Sequence, residues 1–291
     1  MNMKKTLALV MTTIFTGSLA VGCGSESFSA KEDITIVSRE DGSGTRGAFV
    51  ELFGIEEKDA DGNKVDRTTT DAQITNNTSV MMTTVAGDMY AIGYISLGSL
   101  NKTVKAVKID GVEPTVDNVK NDSYKIARPF NIAYKETSLS DVSKDFIDYI
   151  MSTEGQQIVS DNGYISIDGA SPYSGSKPSG KIVVAGSSSV SPVMEKLAEA
   201  YKKVNTGADI EIQTSDSTTG MTSAGDDVCD IGMASRELKD SELEKGLTPL
   251  VIAMDGIAVI VNNDNPTTDI SSDEIKSIYV GDTKTWETLA D

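Results

Sequence analysis

Apolar and polar positions along the chain follow a pattern of short strands, each leading into an amphipathic helix. Residues 34–38 are mostly β-branched and predict a buried strand, and residues 45–52 predict a helix with one apolar face. Gly42 and Gly44 mark a turn between them. A helix that begins directly after a turn presents free backbone N–H groups and the positive end of its dipole at one point. Such a point binds anions.

The same strand, turn and helix occur again in the second half of the chain. Residues 181–185 predict a strand, residues 186–189 are one glycine and three serines, and residues 191–204 predict a helix with a buried apolar stripe. Ser191 is the predicted N-cap of this helix, with Pro192 at the first helical position. Two such helix starts in one chain predict a clamp that holds an anion from two sides.

Further strands and helices alternate through both halves. Strands are predicted at residues 91–96, 104–109, 209–213 and 230–233, and helices near residue 78, at 141–151 and at 272–280. Residues 124–134 are an extended run interrupted by a proline, and residues 250–262 are an almost wholly apolar run. Residues 55–71 and 214–219 are predicted loops, and residues 168–180, rich in Gly, Ser and Pro, are a predicted linker. This order predicts an α/β fold with mostly parallel sheets.

The charge and composition of the chain exclude several classes of partner and of catalytic site. The 291 residues carry a formal net charge of −18, which argues against a nucleic-acid partner and against attraction to an anionic membrane surface. A small anion is a suitable ligand despite this negative charge, because in a buried site a few converging hydrogen-bond donors determine anion binding. The chain has no His and only two Cys, so imidazole catalysis and His or Cys metal sites are excluded. We predict no metal and no cofactor.

The amino terminus has the pattern of a bacterial lipoprotein leader. Lys4 and Lys5 precede an apolar run over residues 6–21 that is short for a membrane span and is followed by Gly22 and Cys23. Small residues directly before a cysteine resemble a lipobox. The pattern predicts a signal peptide over residues 1–22, a lipid such as palmitate on Cys23, and a tether over residues 23–33 that holds the protein at the outer face of the membrane. A plain secretory signal with an incidental cysteine is the alternative.

Four segments resemble parts of the phosphate-binding proteins of ABC importers, the PstS-type family. They are residues 39–46 (REDGSGTR), 91–95 (AIGYI), 184–192 (VAGSSSVSP) and 230–236 (DIGMASR). The resemblance implies a periplasmic-binding-protein-like fold of type II, in which two α/β lobes close over one dehydrated phosphate like a Venus flytrap. It also implies a monomeric lipoprotein that captures inorganic phosphate and delivers it to the permease and ATPase of an ABC importer.

The order of these segments differs from that of the family. The part that resembles residues 181–291 comes first in the family, and the part that resembles residues 34–167 follows it. A circular permutation joined through the linker at 168–180 is the simplest account. If residues 124–134 and 250–262 are the crossings between lobes, one lobe consists of residues 34–127 plus 257–291 and the other of residues 128–256. The alternative is a piece of a tandem or truncated chain.

The resemblance further implies the residues of the phosphate site. Arg39 would supply a guanidinium held by Asp41, and the remaining donors would come from both lobes. Those donors are Ser43, Gly44 and Thr45 in one lobe, and Ser188, Ser189, the N–H of Val190, and Ser217 in the other.

One position departs from the family pattern. Ser235 stands where well-known members have an Asp that accepts the proton of HPO₄²⁻. Such an acceptor separates phosphate, which carries a proton near neutral pH, from sulfate, which does not. Asp255 lies inside the apolar run 250–262, where a carboxylate needs a partner or a function. Our hypothesis is that Asp255 accepts this proton; the alternative is a structural carboxylate paired with Arg236 or with a backbone cluster.

Three other functions fit parts of the sequence. A binding protein for another tetrahedral oxyanion, such as sulfate, would use the same kind of donors. A phosphatase with a Ser nucleophile in one of the turns is disfavoured, because the chain has no His and neither turn has a Lys. A surface lipoprotein or fragment outside transport would have no need of both Ser-rich turns and Arg39.

Overall fold

Strands and helices alternate through residues 27–289, the part of the chain that the computed structural model describes. The strands are β1 (Thr35–Arg39), β2 (Glu56–Lys58), β3 (Lys64–Asp66), β4 (Gln73–Thr75), β5 (Ala91–Ser96), β6 (Lys105–Ala106), β7 (Lys108–Ile109), β8 (Ala127–Tyr134), β9 (Gly180–Ser187), β10 (Ala208–Ser215), β11 (Ile231–Ala234), β12 (Thr248–Val261) and β13 (Asp269–Ile270). The helices are α1 (Gly44–Leu52), α2 (Thr78–Gly87), α3 (Val116–Lys120), α4 (Asp141–Ile150), α5 (Thr153–Asp161), α6 (Ser191–Val204), α7 (Ser217–Gly225), α8 (Asp240–Leu243) and α9 (Ser272–Val280).

One long strand, β12, connects two groups of strands. Its first half, up to Gly256, pairs antiparallel with β8, and its second half, from Ile257, pairs antiparallel with β5. The strand order is β10, β9, β11, β8, β12, β5, β1 and β4. Strands β9, β10 and β11 are parallel to one another, as are β1, β4 and β5. The α/β fold predicted from the alternation of elements is therefore confirmed.

The two largest apolar clusters separate where β8 and β12 cross the molecule. One cluster takes its buried side chains from residues 130–253, and the other takes them from residues 34–126 and 257–286. We call the part built around the second cluster lobe one and the part built around the first cluster lobe two. Each lobe has its own hydrophobic core. The chain passes between the lobes twice, at the start of β8 and within β12.

The linker at residues 168–179 has no regular secondary structure, but it is fixed to lobe two. The hydroxyl of Tyr173 donates to the carboxylate of Asp145, on α4, at 2.5 Å, and Tyr201 on α6 donates to the same oxygen at 2.5 Å. Burial raises the pKa of Asp145, but the two phenol hydrogen bonds and the backbone N–H groups of Lys177 and Ser176 together outweigh burial, and the net pKa is lowered. The linker is thus held through a shared carboxylate.

The segment before β1 lies against lobe one. The ring of Phe28 packs between Tyr90 and Trp286, with ring centroids 5.4 and 6.0 Å away. The N–H of Ile34 donates to the carbonyl of Lys284 at 2.7 Å. Within residues 27–289, no helix is both long and apolar enough to cross a membrane. The predicted signal peptide and Cys23 lie outside the described residues.

Two segments predicted as loops contain regular structure. Residues 55–71 include the hairpin of β2 and β3, whose turn is closed by Asp59 accepting from the N–H groups of Asp61 and Asn63 at 2.9 and 2.8 Å. Residues 214–219 include the start of α7, where Asp216 is the N-cap and accepts from the N–H of Thr219 at 2.8 Å. Both segments lack an apolar period, so their polar side chains define the structure.

Candidate functional site

Four helix N-termini meet between the lobes. Helices α1 and α2 start there from lobe one, and α6 and α7 start there from lobe two. Side chains near these starts touch across the gap: the hydroxyl of Ser189 lies 2.8 Å from that of Thr45 and 3.4 Å from that of Thr78. Free N–H groups and the positive ends of four helix dipoles make this gap attractive to an anion.

Arg39, the last residue of β1, supplies the guanidinium of this site. The side chain is 2% exposed, and its Nη2 donates to the hydroxyl of Ser188 in lobe two at 3.1 Å. Its Nε and Nη2 also donate to the carboxylate of Glu40, at 2.8 and 2.7 Å. This bidentate pair fixes the plane of the guanidinium at the edge of the gap.

The prediction that Asp41 holds Arg39 is wrong. The side chain of Asp41 is 97% exposed, and its carboxylate accepts from Nη1 of Arg46 at 2.8 Å. Asp41 lies on the outer side of the turn, whereas Glu40, with one more methylene group, folds alongside Arg39 and takes the predicted role. Asp41 therefore pairs with Arg46 at the turn and does not contact the guanidinium of Arg39.

A cluster of buried hydroxyl groups lines the gap. Ser235 lies at its centre: its hydroxyl accepts from Ser187 at 3.0 Å and lies 3.5 Å from Ser217 and 3.4 Å from Thr45. All four side chains are buried. Each hydroxyl can both donate and accept a hydrogen bond, so the cluster can bind an oxyanion without adding charge.

The lobes are in direct contact at the first turn of α1. The N–H of Thr218, in lobe two, donates to the carbonyl of Gly42 at 3.2 Å. A Cβ atom added to Gly44 would lie 2.5 Å from the hydroxyl of Ser217 and 2.8 Å from that of Ser235. Only a glycine permits this approach of the two lobes. The structure is thus closed, and the polar groups of the gap are shielded from water.

Comparison with known proteins places this geometry in a family. A family model described as the PBP superfamily domain matches residues 12–154 and 171–291. Phosphate-binding protein PstS 2 of Streptococcus agalactiae serotype V is 55% identical over 292 residues, which cover 100% of both chains. The chain belongs to the PstS family, within the PBP superfamily.

Two further relatives agree with this assignment. Phosphate-binding protein PstS 2 of Streptococcus pneumoniae serotype 4 is 45% identical over 294 residues, covering 99% of this chain and 100% of the relative. The crystal structure of a phosphate-binding protein of a phosphate ABC transporter from Streptococcus pneumoniae TIGR4 is 47% identical with a TM-score of 0.69, covering 88% of this chain and 99% of that one. The predicted resemblance and the two-lobed α/β fold are confirmed.

Asp255 lies at the crossing of the lobes in this PstS-family chain. It is fully buried, and its Oδ1 accepts from the hydroxyl of Ser96 at 2.9 Å and from the N–H of Gly98 at 3.4 Å. Its Oδ2 accepts from Nη2 of Arg128, on β8, at 3.2 Å. Burial raises the pKa of Asp255 to about 6, although the charge of Arg128 and the hydrogen bonds oppose this shift.

The carboxylate of Asp255, which our hypothesis makes the acceptor of the phosphate proton, is bound by Ser96, Gly98 and Arg128. Among residues 27–289, Asp255 has no hydrogen bond to Arg39 or to the hydroxyl cluster. The alternative pairing with Arg236 is wrong, because Arg236 forms a bidentate pair with Glu242 at 2.9 and 2.8 Å. Asp255 is therefore part of a buried ion pair between the two crossing strands.

Two other predicted donors are used within their own segments. Ser43 is the N-cap of α1, and its hydroxyl accepts from the N–H of Arg46 at 3.3 Å. The N–H of Val190 donates to the carbonyl of Ser187 at 3.0 Å, and Val190 rather than Ser191 is the N-cap of α6. Both residues shape helix starts that face the gap.

Sequence reasoning missed three residues of this region. Thr78 begins α2 and follows the N-cap Asn77, so a third helix start was readable from the sequence. Glu40 adjoins Arg39, but nothing in the pattern separates its role from that of Asp41. Arg128 gave no signal, because its partner Asp255 is 127 residues away. Within residues 27–289, no group of three or more acidic, His or Cys side chains can hold a metal ion.

Proposed function

We propose that the protein is an extracytoplasmic binding protein that captures inorganic phosphate and delivers it to an ABC importer. The observation that carries the proposal is the closed gap in which the buried guanidinium of Arg39, a cluster of uncharged hydroxyls and four helix N-termini converge. The names of the PstS relatives support phosphate as the anion.

Binding follows from the closure of the two lobes. In the open form the anion would meet Arg39 and the start of α1 on lobe one. Closure then adds the hydroxyls of lobe two and removes water, so the same donors interact with the anion in a lower dielectric. The surface charge of −18 does not oppose this, because a few fixed donors dominate a buried site. The proposed phosphate-binding residues are Arg39, Gly44, Thr45, Thr78, Ser188, Ser189, Ser217 and Ser235, with Ser43 and Val190 shaping the helix starts.

A calorimetric titration tests the ligand. The protein without residues 1–23 is titrated with phosphate and then with sulfate near neutral pH. We expect tight one-to-one binding of phosphate and little heat from sulfate. If the protein bound sulfate in preference to phosphate, sulfate and not phosphate would be its ligand. Binding of neither anion by a protein that is folded by circular dichroism would overturn the proposal.

The lobe boundaries and the order of the halves are part of the proposal. We propose that residues 34–127 plus 257–291 form lobe one and residues 128–256 form lobe two, which agrees with the separation of the apolar clusters at 126/130 and 253/257. The PstS 2 relatives align with this chain over its full length and so have the same order. A circular permutation relative to other members of the family stays a prediction. A variant that restores the other order, with residues 181–291 placed before residues 34–167, should fold and bind phosphate equally well.

We propose membrane attachment through Cys23 and docking on a permease and ATPase complex as a monomer. Substitution Cys23→Ala should release the protein from the membrane fraction into the medium, whereas Cys229→Ala, at a buried thiol, should not. Continued membrane association of the Cys23→Ala variant would contradict the lipid anchor. We also propose that the protein is no enzyme, so incubation with a phosphomonoester should liberate no phosphate.

A further inference from the structure

Arg128 is a buried guanidinium with unused hydrogen-bonding capacity. The side chain is 2% exposed, and within residues 27–289 only its Nη2 has a hydrogen-bond partner, the carboxylate of Asp255. Nε and Nη1 have no hydrogen bond to any atom of residues 27–289. An unpartnered buried donor on a charged group is costly, so native proteins give such a group a ligand or water.

The unpartnered atoms of Arg128 are not isolated. The hydroxyls of Ser99 and Tyr164 are also buried without a partner among the described residues. The ring of Phe130 lies 5.5 Å from the guanidinium carbon of Arg128 and 5.5 Å from the ring of Tyr164, which places Tyr164 close to the pair of Arg128 and Asp255. Ser99 belongs to lobe one and Tyr164 to lobe two, so this polar cluster lies where the lobes meet.

The cluster adjoins the proposed phosphate site. Ser99 lines a cleft of about 720 Å³ together with Thr78 and Ser188, which contact the site from opposite lobes. Arg128 lines a separate cleft, together with Gly47 on α1 and Arg236. Burial lowers the pKa of Arg128 to about 10, the carboxylate of Asp255 opposes this, and the positive charge of Arg39 lowers the pKa further. The sheet places the two arginines near each other, because Arg128 on β8 lies opposite Asp255 on β12, and only β5 separates β12 from β1, which ends at Arg39.

We propose that Arg128 is a further phosphate-binding residue, held in place by Asp255, and that Nε or Nη1 donates to the bound anion. This inference rests on the proposed function. The N–H groups of Nε and Nη1 lie in the guanidinium plane and point outward from different edges of it, so one anion oxygen takes one of them. The site then has two guanidiniums, each paired with its own carboxylate: Arg39 with Glu40 and Arg128 with Asp255.

This arrangement assigns Asp255 a positioning role. Its Oδ1 is occupied by Ser96 and Gly98, which fixes the carboxylate to the end of β5. Its Oδ2 then orients Arg128. The carboxylate acts on the anion through Arg128 and need not touch the anion itself.

The test compares Arg128→Gln, Arg128→Lys and Asp255→Asn with the unmodified protein, using the purified full chain in detergent and calorimetric titration with inorganic phosphate. We expect Arg128→Gln to weaken phosphate binding about ten- to hundred-fold, the size of a lost hydrogen bond to a charged group. Arg128→Lys should recover part of this loss. Asp255→Asn, which retains Arg128, should weaken binding less than Arg128→Gln. Arg67→Gln, at a half-exposed arginine paired with Glu57, is the matched control and should bind normally.

Two results would overturn the inference. One is a folded Arg128→Gln variant that binds phosphate within about twofold of the unmodified protein, a difference well under 1.4 kcal/mol. The other is a crystal structure of the unmodified protein with phosphate in which only water contacts Nε and Nη1 of Arg128. This second measurement decides the matter even if the variants do not fold. If the unmodified protein binds no phosphate, the proposed function itself fails, which the first titration reveals before any variant is made.

Discussion

Nη2 of Arg39, in lobe one, donates to the hydroxyl of Ser188, in lobe two, at 3.1 Å. The two residues are 149 positions apart, and their contact spans the gap between the lobes. Arg39 can therefore act twice, once on the anion and once on the closed arrangement that surrounds the anion.

The first prediction concerns the planar geometry of Arg39. Arg39→Lys keeps the positive charge but loses the fork that binds Glu40 and Ser188 together. We expect phosphate affinity to fall about ten- to hundred-fold in calorimetry, because hydrogen bonds to charged groups are lost. Arg67→Lys is the control at an exposed pair. Unchanged affinity in Arg39→Lys would mean that a point charge suffices at this position.

The second prediction concerns the contact between the lobes at Gly44. In Gly44→Ala, the new methyl group would collide with the hydroxyls of Ser217 and Ser235 at 2.5 and 2.8 Å. The lobes cannot then close fully, so we expect phosphate binding to weaken strongly while the melting temperature without phosphate hardly changes. Calorimetric titration measures the phosphate affinity, thermal unfolding without phosphate measures the melting temperature, and small-angle scattering with and without phosphate measures closure.

Gly47→Ala provides the matched control for this prediction. Gly47 lies one turn further along α1, and the nearest atom to an added Cβ is 3.9 Å away. Replacing an exposed or half-buried glycine within a helix by alanine generally stabilises the helix. Because Gly47→Ala also leaves the contact between the lobes unchanged, this variant should bind phosphate normally. Equal loss of binding in both variants would show that the effect comes from the helix and not from closure.

The third prediction is a pH dependence of stability that comes from Asp255. Burial raises its pKa to about 6 from the usual 3.8, so the folded protein holds a proton that the unfolded chain has released. The contribution of Asp255 to the free energy of unfolding is therefore full below about pH 4 and is lost as the pH rises to about 6.

Asp255→Asn imitates the protonated carboxyl and does not titrate. We expect the unfolding free energy of the unmodified protein, relative to Asp255→Asn, to decrease from pH 4 to pH 6.5 in denaturant titrations without phosphate. A difference that grows with pH would mean that Arg128 outweighs burial and keeps the carboxylate charged.

Local patterns explain why much of the fold and part of the site were predictable. The strand, turn and helix that carry Arg39 and Thr45 follow one another within 18 residues of β1 and α1. The second unit, with Ser188 and Ser189, is equally local. Apolar periodicity and turn residues decide such units, so the helix starts and their anion-binding hydroxyls can be read from the sequence.

The parts that were not predicted depend on side-chain direction or on register between distant segments. Whether Glu40 or Asp41 meets Arg39 depends on which side of the turn each side chain takes, and both residues are acidic. The pair of Arg128 and Asp255 depends on the register of β8 against β12, which places them opposite each other. Helix α7 consists largely of small and polar residues, so no apolar stripe marks it.

The last prediction concerns the linker between the two halves. Tyr173 is half-buried, and its hydroxyl donates to Asp145, the carboxylate that Tyr201 also binds. Tyr173→Phe removes one of these two donors and keeps the ring packing against Tyr149. We expect a loss of about 1.5–3 kcal/mol of unfolding free energy in denaturant titrations, the value of a hydrogen bond to a charged group.

Tyr134→Phe separates the hydrogen bond from the packing. Tyr134 is also half-buried against the core of lobe two, and its hydroxyl has no hydrogen bond to any residue from 27 to 289. Its substitution should leave stability nearly unchanged. Phosphate affinity should be normal in both variants, because neither hydroxyl lies in the gap between the lobes. If Tyr173→Phe also weakened phosphate binding, the linker would be coupled to closure, and its attachment to Asp145 would be part of the binding cycle rather than of the fold alone.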